Sequence, residues 1–515
     1  MKKIYLLITA FVTLTSIMSC NDELETNPTD MIGGNVMLEN AEGGQAVMNG
    51  IYRAMYSYGW GSAWYDENCG IMAFVQAADL MGEDHIMAAQ GQGWFWYDYA
   101  LDVSGDFSSS AGRSHQTWNF FYTLINNANG ILGKDGEWED SPLTNAVLGQ
   151  AYAIRAYSYY FLAQSFQQAY VEGSDLPGVP LYVEPTTKET EGKPRGTLEA
   201  VYNQMNTDID KAVSFLKKAN DEGWDREHTS YIDYYVANGI KARIALAHGV
   251  DYQRALDGAK EALDKSGLAV IPVADFLGWN KKDAANAMWA LEVISSQSEH
   301  YMGFFSHMDA DAAGMYASRA RRLIASGLYN LIPDTDDRKA QWWRGYLDVN
   351  ESGNSKTSLC QLKFRFASAT NRIGDYLIMR GEEMVLIAAE ASCRLGQYDQ
   401  ARSYIIKLGS VRDKDYEARL DEMTNANTYS ENTNDEPETL LEEILLQRRI
   451  ELWGEFPRVF DLKRLQLGFS RSYEKSNHTS VKSADVADIR FVLPIPQAEF
   501  DGNPNIVAPK DQNPM

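Results

Sequence analysis

DYLIMRGEEMVLIAAEASCRLGQYDQARSYIIKLGSVR, residues 375–412, reads as two amphipathic helices joined at Gly396. Leu377, Met384, Ala388, Ala391 and Leu395 fall on one stripe of the first helix; Ala401, Tyr404, Ile405 and Leu408 recur at helical spacing on the second. Such a hairpin cannot bury both apolar faces alone, so it needs further helices stacked on it. Residues 231–265, YIDYYVANGIKARIALAHGVDYQRALDGAKEALDK, supply them, with Val236, Ile240, Ile244 and Ala247 before Gly249, and Tyr252, Ala255, Leu256, Ala259 and Leu263 after it. Gly249, Tyr252 and Ala255 stand at nearly the offsets of Gly396, Tyr398 and Ala401, the punctuation of a tetratricopeptide repeat. More than a hundred residues separate the two hairpins, so a large insertion splits the repeats and is the first place to look for function.

The chain has 515 residues, of which 45% are hydrophobic and 23% charged, the composition of an ordinary folded protein. With 47 basic against 71 acidic side chains its net charge is −24, which argues against nucleic acid as a partner. Lys2 and Lys3 precede an apolar run from Ile4 to Met18, short for a membrane span and suited to a secretory signal. Ser19 and Cys20 follow, resembling a bacterial lipoprotein junction at which Cys20 is lipidated. Asp22 and Glu23 resemble a surface-export signal, and residues 20–40 read as a polar tether beyond a signal at 1–19. Cys69, Cys360 and Cys393 then remain, an odd number with no CxxC pair, so neither a disulfide framework nor a thiolate zinc site is expected.

Helices are expected at 41–58, with Ala46, Ile51 and Met55 inward, from about Gln116, and over 143–168, whose apolar residues lie on nearly every side. Arg155 on that last helix requires an acidic partner. Thr197 caps a further helix, and another starts near Thr439. The tail from Phe491 is Pro- and Asn-rich and reads as a surface wrap without secondary structure. Two regions differ. Residues 59–115 interleave Trp60, Trp64, Trp94, Trp96 and Tyr97 with glycines, and residues 267–374 carry Trp279, Tyr301, Phe304, Trp342 and Trp343 among loops and strand-like patches such as MWALEVISSQ and LCQLKFRF.

No Walker loop, GxSxG elbow or HExxH motif is present. DADAAG (309–314) opens like a calcium loop but lacks its later ligands, and His300 with His307 reads as coincidence, so no metal and no cofactor are expected. Glu382 with Glu383, and Glu442 with Glu443, diverge by roughly 100° on their helices and cannot flank one glycosidic bond; they read as solvated helix starts. Aromatic rings on loops can instead stack on the C–H face of a pyranose while carboxylates and amides bond its hydroxyls. The glycan-binding residues expected are Trp94, Trp96, Tyr97, Asp66 and Asp84 from the first loop region, with Tyr301, Phe304 and Trp342 from the second.

Six stretches in order resemble the SusD/RagB outer-membrane nutrient-binding lipoproteins of Bacteroidetes. They are the start around Cys20, ADLMGEDHIM (78–87), QAYAIRAYSYYFLAQSF (150–166), YLIMRGEEMVLIAAEA (376–391), ILLQRRIELWGEFPRVFDLKR (444–464) and PIPQAEFDGNPN (494–505). The resemblance implies a mainly α fold, with tetratricopeptide-like hairpins (about 41–58, 116–265 and 375–465) scaffolding a loop-rich ligand-binding half within one domain, 41–515. It also implies a partner, a SusC-like TonB-dependent transporter to which captured oligosaccharide passes. Arg448, Arg449, Glu451, Phe460, Asp461 and Arg464 match a family signature with a structural role, Arg448 and Glu451 being spaced as a helical ion pair. The family has no universal binding motif, so the glycan residues rest on the aromatic reading alone. The expected protein is a non-catalytic, lipid-anchored, cell-surface glycan binder of the outer membrane. A glycoside hydrolase, a peptide binder and a purely architectural repeat protein are the alternatives.

Overall fold

The computed structural model describes residues 37–515 except 62–64, 92, 103–107, 265–267, 269, 277, 299–301 and 345–358. The expected signal, Cys20 and most of the tether lie outside the described residues, as does Tyr301. The fold is mainly α. Its scaffold helices are α1 (Ala41–Ala54), α4 (Gly112–Leu132), α5 (Pro142–Phe166), α6 (Leu198–Asp221), α7 (Tyr234–His248), α8 (Tyr252–Leu263), α12 (Gly381–Arg394), α13 (Tyr398–Arg412), α15 (Leu440–Glu451) and α16 (Arg458–Arg464). Shorter helices are α2 (Ile71–Leu80), α3 (Trp96–Ala100), α9 (Phe304–Met308), α10 (Ser326–Leu331), α11 (Asp337–Gln341), α14 (Tyr416–Asp421) and α17 (Gln497–Gly502).

Each scaffold helix packs on the next, α4 on α5, α5 on α6, α6 on α7 and α7 on α8, and the series then jumps in sequence, because α8 packs directly on α12. The two hairpins recognised in the sequence are therefore neighbours in space. Their turns use glycines at φ 71° and 73°, Gly249 and Gly396, a left-handed conformation that a Cβ would oppose. Asp233 and Asp251 cap α7 and α8 by accepting from the Val236 and Arg254 N–H groups. Gly258 lets α8 approach α7, since a Cβ there would lie 2.9 Å from the Asn238 carbonyl oxygen. At the seam between hairpins the Arg394 guanidinium sits 5.2 Å above the Tyr252 ring. Buried on all sides, α5 places Arg155 against Asp208 at 2.6 and 2.8 Å.

The insertion between α8 and α12 is clamped at its base, where β2 (Ala287–Leu291) pairs antiparallel with β6 (Tyr376–Arg380). A second sheet, in the order β1-β3-β5-β4, joins β1 (His85–Met87) to β3 (Arg322–Ile324), β5 (Cys360–Gln361) and β4 (Trp343–Arg344). It joins the two loop-rich regions to each other. A small ribbon of β7 (Phe469–Ser470) and β8 (Ser483–Ala484) follows α16.

Ionic contacts buried in the core differ from the sequence expectation. Glu382, Glu383 and Glu443 are buried, so they are not solvated helix starts. Arg243 forks onto Glu383 at 2.6 and 2.8 Å, and Arg380 and Arg412 hold Glu382. Glu451 is wholly buried and receives Arg338, Arg380 and Arg412 at 2.7 to 2.8 Å. Arg448 turns instead to Asp461, at 2.9 Å, which replaces the helical pair expected from spacing alone. Smaller differences are a first helix ending at Ala54 with Ala46 exposed, a second starting at Gly112, and a tail that forms α17 and buries Asn513 against the Phe166 and Leu493 carbonyls. Thr439 forms a capping box with Glu442.

Replacing Glu451 with alanine takes the shared carboxylate from three buried guanidinium groups, leaving net buried positive charge, and is expected to cost about 3–5 kcal/mol. Urea unfolding of Glu451→Ala measures it, with Lys217→Ala, which breaks an exposed pair, expected to leave the midpoint unchanged.

Candidate functional site

The loop carrying Trp94, Trp96 and Tyr97 is held in an unusual backbone course. Phe95 and Leu101, at either end of α3, adopt φ values of 57° and 48°, which a branched or aromatic residue takes only when its surroundings impose it. The surroundings here are ionic. Glu67 accepts the Phe95 N–H at 2.8 Å, and Arg113, at the start of α4, reaches Glu67 at 3.0 Å and Asp98 at 2.9 and 3.0 Å. Burial pushes the Glu67 carboxyl up to about 7 against the pull of Arg113. The loop is thus preorganised before any ligand arrives.

Above this frame lies an aromatic cluster. The Trp94 ring rests 4.1 Å from that of Tyr316, and the His307 ring lies 4.5 Å from Tyr316 and 5.0 Å from Phe95. Burial holds His307 well below its ordinary pKa, so it is neutral, and its Nε2–H donates to the Asp66 carbonyl at 2.7 Å. The Tyr316 hydroxyl donates to the Asp66 carboxylate. Asp66, Trp96, Tyr97 and Tyr316 are half-buried, Trp96 and Tyr316 pack on the apolar cluster that holds Trp94 and Phe95, and the four make up the candidate rim. They present one carboxylate among aromatic rings.

Three of the expected ligand residues do not belong to that rim, and a fourth, Trp94, reaches it only by an edge. Trp342 is 2% exposed, with Phe276 on one side and the Lys363 ammonium 4.5 Å over its ring. Phe304 is 4% exposed and wedged among Phe305, Phe364 and Tyr376. Trp94 is 9% exposed and offers an edge, with its face against Tyr316. Asp84 is 3% exposed and spanned by Arg449 at 2.7 Å and Arg458 at 3.3 Å, so its charge is already matched inside the protein. Tyr316 was missed in the sequence. It stands in a small-residue segment, DADAAGMYAS, where one aromatic gives no period to read.

DADAAG binds inward. Asp309 accepts from the Asp311 and Phe366 N–H groups, and among the described residues no three acidic, His or Cys side chains gather to hold a metal. A separate open cavity of about 320 Å³ lies between α4, the 182–192 loop and α17, walled by Trp118, Tyr122 and Tyr182. Its polar groups serve one another: Trp118 donates to Glu499 at 3.2 Å, and Asn126 accepts from the Thr186 N–H at 2.7 Å.

Two of the resemblance-bearing stretches meet. The Asp84 and Glu83 carboxylates of 78–87 face Arg449 and Arg458 of 444–464, the Trp453 indole donates to the Asp84 carbonyl at 3.0 Å, and the Arg458 N–H reaches Asp79 at 3.1 Å. Two family models match the chain, one described as SusD family over residues 307–515 and one as starch-binding associating with outer membrane over 73–231. Over these two stretches the chain is similar to the SusD family. A relative described as SusD-like protein P2, from Formosa agariphila, is 24% identical over 97% of this chain and 98% of its own. Among solved SusD-family structures, a SusD-like carbohydrate binding protein from Bacteroides vulgatus superposes with a TM-score of 0.74 at 24% identity, covering 92% of this chain and 98% of that one. Surface glycan-binding protein A from Bacteroides uniformis gives 0.64 at 18% identity, with coverages of 92% and 99%. These SusD structures share the fold described above. The second family model carries an association with the outer membrane, and among the described residues no helix is long and apolar enough to cross one.

Asp461 gives this core a pH dependence. Burial would raise its carboxyl, but Arg448, Arg464 and Arg458 outweigh burial and bring it down to about 2. A carboxylate depressed on folding stabilises above its unfolded pKa, near 3.8, and loses that contribution as pH falls through the folded value. Thermal melts of Asp461→Asn are expected to show a shallower loss between about pH 4 and pH 2 than the parent, by about 2 kcal/mol.

Proposed function

We propose that this protein is a cell-surface lipoprotein, anchored through Cys20 after removal of residues 1–19, that captures oligo- or polysaccharide on the rim formed by Asp66, Trp96, Tyr97, Tyr316 and the Trp94 edge. It then delivers the saccharide to a SusC-like TonB-dependent transporter. The observation that carries this reading is the half-buried aromatic rim on a loop locked by Glu67, Arg113 and Asp98. A sugar ring has an apolar face and a hydroxylated edge, so it gains from flat rings beside one carboxylate and needs no cofactor. A rigid platform adds affinity because little loop entropy is lost on binding. Relatives described as carbohydrate-binding and glycan-binding support the ligand class, and the description of the second family model supports the membrane location.

Native affinity electrophoresis through gels containing plant, microbial and host polysaccharides tests the reading. At least one polymer is expected to retard the protein. A Trp96→Ala, Tyr97→Ala double variant is expected to lose that retardation while keeping its melting temperature. Retardation unchanged in the variant places the site elsewhere, with the Trp118–Tyr182 cavity next to test. No retardation by any polymer overturns glycan capture.

A further inference from the structure

At one border of the rim the charge changes sign. The Asp311 carboxylate is shared by Arg344 at 2.7 Å and Arg365 at 3.2 Å, and both arginine side chains remain exposed, at 50% and 40%. Asp311 is held below the usual carboxylate range by the Arg344 hydrogen bond, with Arg365 and Arg321 adding their fields. Two guanidinium groups thus grip one acid, and a third, on Arg321, adds its field.

This group is continuous with the rim. Arg344 pairs in register with Cys360, and Cys360 belongs to the apolar cluster that holds Trp94, Phe95 and Ala320. Arg321 accepts the Ala88 N–H at 2.9 Å through its carbonyl. Beside it, a Cβ on Gly91 would lie 3.3 Å from Ala320 and 3.5 Å from the Trp94 ring.

We propose that Arg321, Arg344 and Arg365 form an anion subsite at the border of the glycan site, so that the saccharide captured carries carboxylate or sulfate groups; this rests on the glycan-binding reading above. The overall charge of −24 does not forbid it. Exposed charges farther than about 8 Å are screened at physiological salt, so three nearby guanidinium groups outweigh distant acids. Planar guanidinium forks also match carboxylate and sulfate oxygens. Asp311 has a defined place in this arrangement. It occupies the arginines until an anionic group displaces it, holding them extended.

Affinity electrophoresis and calorimetry with dextran, polygalacturonate and dextran sulfate test the subsite on the parent, on Arg344→Gln/Arg365→Gln and on Asp311→Asn. Polygalacturonate or dextran sulfate is expected to bind more tightly than dextran, and which of the two binds distinguishes a carboxylate site from a sulfate site. The double glutamine variant is expected to weaken that binding at least about tenfold, and raised salt to weaken it in the parent more than in the variant. Asp311→Asn is expected to strengthen it, whereas a purely structural ion pair would leave it weaker or unchanged. Binding of a neutral polysaccharide alone, equal in parent and variants, overturns the anion subsite and leaves glycan capture standing. Equal binding of both polyanions by the parent and the double glutamine variant also overturns it.

Discussion

Glu451 sits where every part of the molecule converges. Arg338 comes from the insertion, Arg380 from the strand that closes it, and Arg412 from the end of the second hairpin, and all three end on this one buried carboxylate. Its backbone carbonyl receives Lys363, again from the insertion. One acid cannot neutralise three cations, so Glu382, Glu455 and Asp336 complete the balance around it. Buried charge of this kind adds little to stability relative to a well-packed apolar core, but it tolerates few alternative arrangements, because any other leaves a charge unpaired. The network is a registration device between a repeat scaffold and a loop-rich insertion, two parts with little regular structure in common.

The same logic operates under the ligand rim. The loop of 59–101 has short helices and many glycines, and such a segment would ordinarily sample many conformations. Arg113 and Glu67 restrict it from below, while the pairing of β1 with β3 ties it to the other loop region. Rigidity at the rim is therefore borrowed from α4 and from the Glu83, Asp84, Arg449 and Arg458 cluster. The resemblance-bearing stretches 78–87 and 444–464 pair with each other inside the protein and hold the platform.

The scaffold was legible because helical periodicity is local. Ala255, Ala259, Ala388 and Ala401 announce their faces within a few residues, and Gly249 and Gly396 mark turns that the backbone requires. The requirement that Arg155 meet an acid was met by Asp208. Burial of isolated residues was not legible. Asp84 looked like a free loop carboxylate because its partner Arg449 lies 365 positions away. Trp342 and Phe304 were read as loop aromatics, but large rings gain most from burial, and irregular segments provide cores of their own when they fold against a scaffold. Glycines near Trp94 marked unusual backbone angles, as at Gly91 and Gly93, and did not mark exposure. The meeting of Arg344 and Arg365 on Asp311 depends on tertiary structure and has no local signal.

The direct packing of α8 on α12 gives the chain an unusual order of events. During synthesis or translocation from the N-terminus, α8 emerges with its outer face bare, and the surface that covers it is more than a hundred residues away. High contact order of this kind slows folding, since loop closure over a long insertion comes before the contacts that reward it. Until residue 412 is available, the first half exposes an alanine-rich groove that any amphipathic helix can enter. The insertion must reach its place before or together with the second hairpin, so the ligand platform and the scaffold mature as one unit, and a fragment ending inside the insertion is a candidate for misassembly rather than a smaller working protein.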